Sequence, residues 1–143
     1  MIDEKLSSSL EDYLEVIYNI IDKNQKVRAV DISRELNVSR ASVTEALKKL
    51  ASKGLINYGR YNMISMTETG EKQALSVIEK HNALHYFFEE IMGLNSIKAA
   101  ETACKIEHII SKDILDRFTA FKDFHKNHPE YIKTLHKYYQ KGK

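Results

Sequence analysis

The chain has 143 residues, 43% hydrophobic and 29% charged, a net charge of +2 at pH 7 and one cysteine. Its length allows one sizeable core or two small ones, and a lone cysteine excludes an internal disulfide, so a reducing cytoplasmic location is expected. No apolar run approaches the roughly 20 residues needed to cross a bilayer, and residues 1–6 lack a signal-peptide core, so no membrane partner is expected.

With one proline and five glycines, long helices should dominate. The first is predicted over Ser7 to Lys23. Ser7, Ser8 and Ser9 offer N-caps, and Glu11 and Asp12 fall in the first turn, where the macrodipole favours acids. Leu10, Tyr13, Leu14, Ile17, Tyr18 and Ile21 recur at helical spacing and should be buried. Asp12 and Glu15 share a flank; alone they read as a solvated acidic edge.

A polar turn, Asn24 to Arg28, precedes a short helix from about Val30 to Leu36, with Ile32 and Leu36 facing inward. Asn37 and Val38 break it, and Ser39 should cap the next helix, Arg40 to about Lys53. That helix should bury Val43, Leu47, Leu50 and Ala51 and expose Arg40, Ser42, Thr44, Glu45, Lys48 and Lys49. Gly54 suits the left-handed residue that ends it.

Two short helices around a tight turn, the second opening on small polar residues, make a helix-turn-helix. From Lys26 to Arg60 eight basic residues face three acidic ones, a local charge of +5. A basic face of this kind fits a polyanion. A reading helix must enter a major groove about 12 Å wide, which favours small or hydrogen-bonding residues such as Ser39, Arg40, Ser42 and Thr44. Lys48, Lys49 and Lys53 would neutralise phosphates, and Arg28 belongs to the same basic DNA-binding set. Leu55 to Tyr58 and Met63 to Met66 read as two strands joined by Gly59-Arg60-Tyr61-Asn62, a wing with Arg60 at its tip. The fold expected is therefore mainly α, an N-terminal winged helix-turn-helix with a two-stranded β wing.

Thr67 should cap the longest helix, which runs to about Met92 and stops at Gly93, a span of about 37 Å. It is too long for a winged helix alone and carries the chain into a second, all-α region. Leu75, Ile78, Leu84, Phe87, Phe88 and Ile91 are its apolar positions; His81 and His85 lie four apart. A helix from Leu94 to Ile110 follows, then one from Lys112 to about Phe124 capped by Ser111, with Ile114, Leu115, Phe118 and Phe121 as its stripe. Pro129 opens a last helix, Glu130 to Gln140, carrying Tyr131, Leu135, Tyr138 and Tyr139, and the tail 141–143 should fray.

Cys104, Glu107 and His108 stand at helical spacing, so a thiol, a carboxylate and an imidazole can point one way. That is half of a transition-metal site. Cys104 alone would read as a small buried hydrophobe.

The chain resembles the metal-dependent transcriptional repressors typified by the diphtheria toxin repressor and the manganese transport regulator. Three motifs carry the resemblance: Glu11-Asp12-Tyr13-Leu14-Glu15-Val16-Ile17-Tyr18, Lys80-His81, and Cys104-Lys105-Ile106-Glu107-His108, with Thr67-Glu68-Thr69-Gly70 as a further mark. It implies a winged-helix DNA-binding domain over 1–70 and a helical metal-binding and dimerisation domain over 71–143, joined by a long helix at about 68–92. No C-terminal SH3-like domain is expected. It implies Asp12, Glu15, His81, Cys104, Glu107 and His108 as metal ligands. The manganese branch has glutamate where Cys104 stands, and the diphtheria branch has methionine where Asp12 stands. Of that branch's ancillary histidine, glutamate and histidine, only His81 matches; the other positions are His85 and Ala100, and His85 remains a possible ligand.

Carboxylates and imidazoles suit Mn²⁺ and Fe²⁺, and a thiolate pulls toward Fe²⁺, Co²⁺ or Zn²⁺. Fe²⁺ is the expected activator with Mn²⁺ close behind; Co²⁺ or Zn²⁺ would serve in vitro. The resemblance implies a homodimer repressing metal-ion uptake genes at a palindromic double-stranded operator, with the metal held between the first helix and the second domain. Leu94, Ile97, Ala99, Ala100, Ala103, Ile106 and Ile109 would suit either the dimer seam or an internal core. The alternative is a winged-helix regulator not gated by metal, its His/Cys/Glu cluster structural. With no His-Glu-x-x-His motif, glycine-rich phosphate loop or nucleophile elbow, an enzyme is not expected.

Overall fold

The structure of the chain is a computed structural model describing residues 5–141. Of the tail expected to fray, 141–143, residues 142–143 lie outside them, as do the first four residues. The chain divides into two units, Met1–Ile78 and Glu79–Lys143.

In the first unit α1 (Ser8–Asn24) starts where Ser7 Oγ accepts the Leu10 N–H at 3.2 Å and ends on Gln25, held left-handed at φ 63°. Leu10, Tyr13, Leu14 and Ile17 are buried, as their spacing predicts; Glu11, the first-turn acid, is buried too. α2 (Ala29–Leu36) begins at Arg28, whose backbone N–H donates to Asp31 Oδ2 at 3.1 Å. Ile32 is its buried residue, and Val27 in the preceding turn is buried as well. α3 (Arg40–Ser52) is capped by Ser39 and inserts Val43, Ala46, Leu47 and Leu50 into a core shared with α1 and α2. Ala51 lies at the edge of that core rather than inside it, and Thr44, expected to be exposed, is half-buried.

β1 (Ile56–Tyr58) and β2 (Ile64–Met66) form an antiparallel hairpin pairing Ile56 with Met66 and Tyr58 with Ile64. Gly54, at φ 73°, turns the chain out of α3. Thr67 locks the hairpin to the next helix: its hydroxyl donates to Gly54 C=O at 2.7 Å and accepts the Gly70 N–H at 3.0 Å, while its own N–H bonds Leu55 C=O at 3.2 Å. α4 (Glu68–Tyr86) therefore starts at the predicted place. The unit boundary falls within it. Leu75, assigned to its apolar stripe, is 47% exposed; Ala74 and Val77 take the inner face instead.

In the second unit α4 widens into a π-helical turn, Phe87–Ile91, where the Met92 N–H reaches Phe87 C=O at 3.0 Å. Gly93, at φ 75°, then ends the helix. α5 (Ser96–Ile106) is capped by Asn95, whose Oδ1 accepts the Lys98 N–H at 2.8 Å, and packs on the π turn. It starts later and stops earlier than the predicted Leu94–Ile110. Ala99 and Ala103 are fully buried, whereas Ile97 and Ile109 are each 74% exposed, so the apolar set proposed for a seam splits into a core half and an outward half.

α6 (Lys112–Asn127) buries Leu115 but leaves Ile114 and Phe121 exposed, a correction to the predicted stripe. Ser111 precedes it, donating to Asp113 rather than capping the helix through its side chain. A 3-10 turn, Pro129–Tyr131, leads into α7 (Ile132–Gln140), whose Tyr138 is exposed rather than buried. His136 Nε2 and the Tyr139 hydroxyl both approach Ile91 C=O, at 3.1 and 3.3 Å, holding α7 to the end of the π turn.

Candidate metal centre and nucleic-acid interface

Within the second unit, donors far apart in the chain meet around one imidazole nitrogen. His81, on α4, places Nδ1 2.7 Å from Glu107 Oε2 and 3.6 Å from Cys104 Sγ. Donor atoms of all three lie within 4.8 Å of one another. Cys104 sits in the last turn of α5. Glu107 lies just past that helix but keeps helical dihedrals (φ −54°, ψ −31°), and its N–H still bonds Ala103 C=O at 2.9 Å. The three-residue spacing therefore works as on a helix, although the helix ends sooner than expected.

The donor set fits a divalent transition metal. A nitrogen at about 2.1 Å and a thiolate at about 2.3 Å from one ion stand about 3.6 Å apart in tetrahedral geometry, the separation found between His81 and Cys104. The Glu107 side chain has no exposed surface, and its Oε1 accepts no hydrogen bond among the described residues. His108 Nε2 stands 3.5 Å from that oxygen, its ring almost fully buried. A buried carboxylate needs positive charge or hydrogen bonds around it. His81 supplies some of this, through the same nitrogen a metal would use. Cys104 is exposed, so its sulfur is reachable from solvent.

His85 is engaged differently. Its Nε2 lies 3.0 Å from Glu89 Oε2 and 3.4 Å from Ser96 Oγ, one turn along from His81. Asp12 and Glu15 are half-buried on α1 in the first unit. Glu89, which no sequence motif marks, stands four residues beyond His85 and so shares its helix face.

The DNA-reading candidates lie on the first unit. Ser39 Oγ accepts the Ser42 N–H at 3.1 Å and donates to Ser42 Oγ at 2.9 Å, which fixes both at the head of α3. The Thr44 hydroxyl donates to Arg40 C=O at 3.0 Å, so it is partly spent inside the helix. Arg40 and Lys48 are exposed; Lys49 pairs with Glu45 at 3.4 Å on the same open face. Arg28 grips Asp31, Nε to Oδ2 at 3.2 Å, and this contact holds the Asp31 carboxyl below its ordinary range. Arg60 is exposed in the hairpin loop, where Tyr61, 93% exposed, and Met63, 72% exposed, stand beside it. Neither carries a signal in the sequence, in which that loop reads simply as a turn.

Residues 5–64 match the family described as iron dependent repressor, N-terminal DNA binding domain. Residues 67–135 match the iron dependent repressor metal binding and dimerisation domain. The chain is 37% identical over 123 residues to an uncharacterized HTH-type transcriptional regulator of Methanocaldococcus jannaschii, covering 85% of this chain and 98% of that protein. It is 33% identical over 127 residues to the HTH-type transcriptional regulator MntR of Listeria monocytogenes, covering 89% of each. Among solved structures it superposes on the manganese regulator SloR with a TM-score of 0.73 at 26% identity, covering 80% of this chain and 54% of that one. The IdeR protein of T. acidophilum matches with a TM-score of 0.72 at 26% identity, covering 79% and 53%. The chain thus spans about half the length of those two solved regulators.

Proposed function

This chain belongs to the metal-dependent transcriptional repressors of the diphtheria toxin repressor family, and we propose that it represses metal-ion uptake genes in response to Fe²⁺ or Mn²⁺. The proposed ligands are Asp12 and Glu15 of α1 with His81, Cys104, Glu107 and His108. The proposed DNA contacts are Arg28, Ser39, Arg40, Ser42, Thr44, Lys48, Lys49 and Arg60. The observation that carries the reading is the Glu107 carboxylate, fully buried between two imidazoles with a thiol beside them.

Bound there, a divalent ion would supply the positive charge that three carboxylates and a thiolate lack. Without that charge the acidic ligands repel one another, and Asp12 and Glu15 leave α1 less constrained. Both α2 and α3 pack on α1, so a constraint on α1 is felt by the reading helix. In a homodimer the two reading helices must stand about 34 Å apart to meet successive major grooves of a palindromic operator. A coupling of this kind is typically about 1–3 kcal/mol. Cys104 favours Fe²⁺ as the activator, with Mn²⁺ second.

The test is operator affinity at fixed salt, without oxygen, titrated with Fe²⁺, Mn²⁺, Co²⁺ and Zn²⁺. Affinity should rise by about 5- to 150-fold with the activating ion. Equal affinity with and without every ion would remove the proposal. The 2.7 Å His81–Glu107 contact also favours a second reading, in which the pair is a structural ion pair of a regulator indifferent to metal. That reading expects the flat titration.

A further inference from the structure

The hairpin loop holds a tyrosine in an unusual state. Tyr61 lies at φ 63°, ψ 21°, followed by Asn62 at φ 56°. Turns with two successive left-handed residues are normally built from asparagine and glycine, because a Cβ crowds the backbone there and a bulky side chain is least tolerated. Asn62 obeys that rule, and its Oδ1 accepts the Tyr58 hydroxyl at 3.4 Å. Tyr61 does not obey it. Nor does its ring gain anything within the chain: it is 93% exposed, with no hydrogen bond or ring contact among the described residues. Met63 beyond it is 72% exposed. Strained backbone that displays an apolar side chain to solvent points to a partner outside the chain.

Charge and place select that partner. Arg60, exposed and adjacent, is drawn to the negative potential of a narrow minor groove. Apolar side chains beside such a cation enter the same groove and wedge against base steps. We propose that Tyr61, with Met63, is an apolar wedge that the hairpin inserts into the minor groove flanking the operator half-site, next to Arg60. This rests on the DNA-binding reading of α3. It adds a contact that depends on base-step shape rather than on charge.

The test uses the full chain with Mn²⁺ and an operator selected from random duplexes by the wild-type protein. Fluorescence anisotropy compares wild type, Tyr61→Gly, Tyr61→Phe and Arg40→Ala well below their melting midpoints. Glycine accepts the left-handed backbone freely, so Tyr61→Gly should melt at or above the wild-type midpoint. Its operator affinity should nevertheless fall about tenfold, within the range found when an aromatic stacking on a base is removed. Tyr61→Phe keeps the ring and should bind as wild type. The salt dependence of binding should not change in Tyr61→Gly, because no charge is removed. Replacing flanking A·T pairs by G·C, which places an amino group in the minor groove, should weaken wild type more than Tyr61→Gly, which keeps only the Arg60 share of the A·T preference. Wild-type affinity in Tyr61→Gly, with Arg40→Ala impaired, overturns the wedge alone. Wild-type affinity in Arg40→Ala as well overturns the DNA reading beneath it.

Discussion

Gly70 offers a sharp test of how the wing is joined to the rest of the chain. It lies in the first turn of α4, against the backbone at the base of the hairpin. A Cβ added there would come within 1.9 Å of Leu55 O and 2.8 Å of Leu55 C, both backbone atoms that cannot rotate away. In Gly70→Ala two effects oppose. Alanine improves helix propensity by about 1 kcal/mol. Relieving the clash requires α4 to shift from the hairpin, which costs about 1–3 kcal/mol for overpacking. The shift also strains the Thr67 N–H bond to Leu55 C=O, and leaving such a buried group without its partner costs about 1–3 kcal/mol more. The clash should win by about 1–5 kcal/mol, lowering the melting midpoint by about 4–8 °C for each kcal/mol in a unit of this size. Circular dichroism melting of the full chain reads it directly. An unchanged or raised midpoint would mean that the close approach is not real and that propensity alone decides.

Other outcomes follow from the site and the basic face. Cys104→Glu should raise the response to Mn²⁺ relative to Fe²⁺ in operator binding; an unchanged metal preference would remove the thiolate argument. Lys48→Gln with Lys49→Gln should flatten the dependence of log affinity on log salt by about 0.9 for each phosphate that is no longer neutralised, and an unaltered slope would place these lysines off the DNA. Asp31, held below its ordinary value of about 3.9 by Arg28, stabilises the fold above that pH and loses its contribution as pH falls through its lowered folded value. The melting difference between wild type and Asp31→Asn should therefore be full near neutrality and vanish in strong acid; a gap that widens on acidification would contradict the assignment.

The local signals are plain in the sequence. Ser7, Ser39 and Thr67 cap the helices they are expected to cap, because a side-chain oxygen satisfying an orphan N–H is an interaction within one turn. Gly54 and Gly93 adopt the left-handed conformation for equally local reasons. Where sequence and structure differ, packing decides. Leu75 belongs to the helical stripe by type, yet Ala74 and Val77 are the residues of α4 that are buried there. The π turn at Phe87–Ile91 has no periodic signature, since one extra residue is accommodated by neighbours and not by pattern. Asn95 caps α5 even though apolar Leu94 before it is, by type, the better start to the stripe.

The candidate site divides the same way. Cys104 and Glu107 fall on one face from spacing alone, but His81 lies on another helix. In the sequence only the family resemblance brings it to the site; in the structure the 2.7 Å and 3.6 Å distances do so. The strained Tyr61 is hidden inside a loop, because backbone sign is not visible in a turn that carries no glycine at that position.

The most direct measurement is the Mn²⁺ and Fe²⁺ dependence of operator binding in Asp12→Ala/His108→Ala beside wild type, with uptake of the ion followed in parallel. Wild type should tighten on its operator as the ion is added, and the double variant, still folded, should remain at the metal-free affinity. A double variant that takes up the ion and tightens on DNA as wild type does would contradict the account.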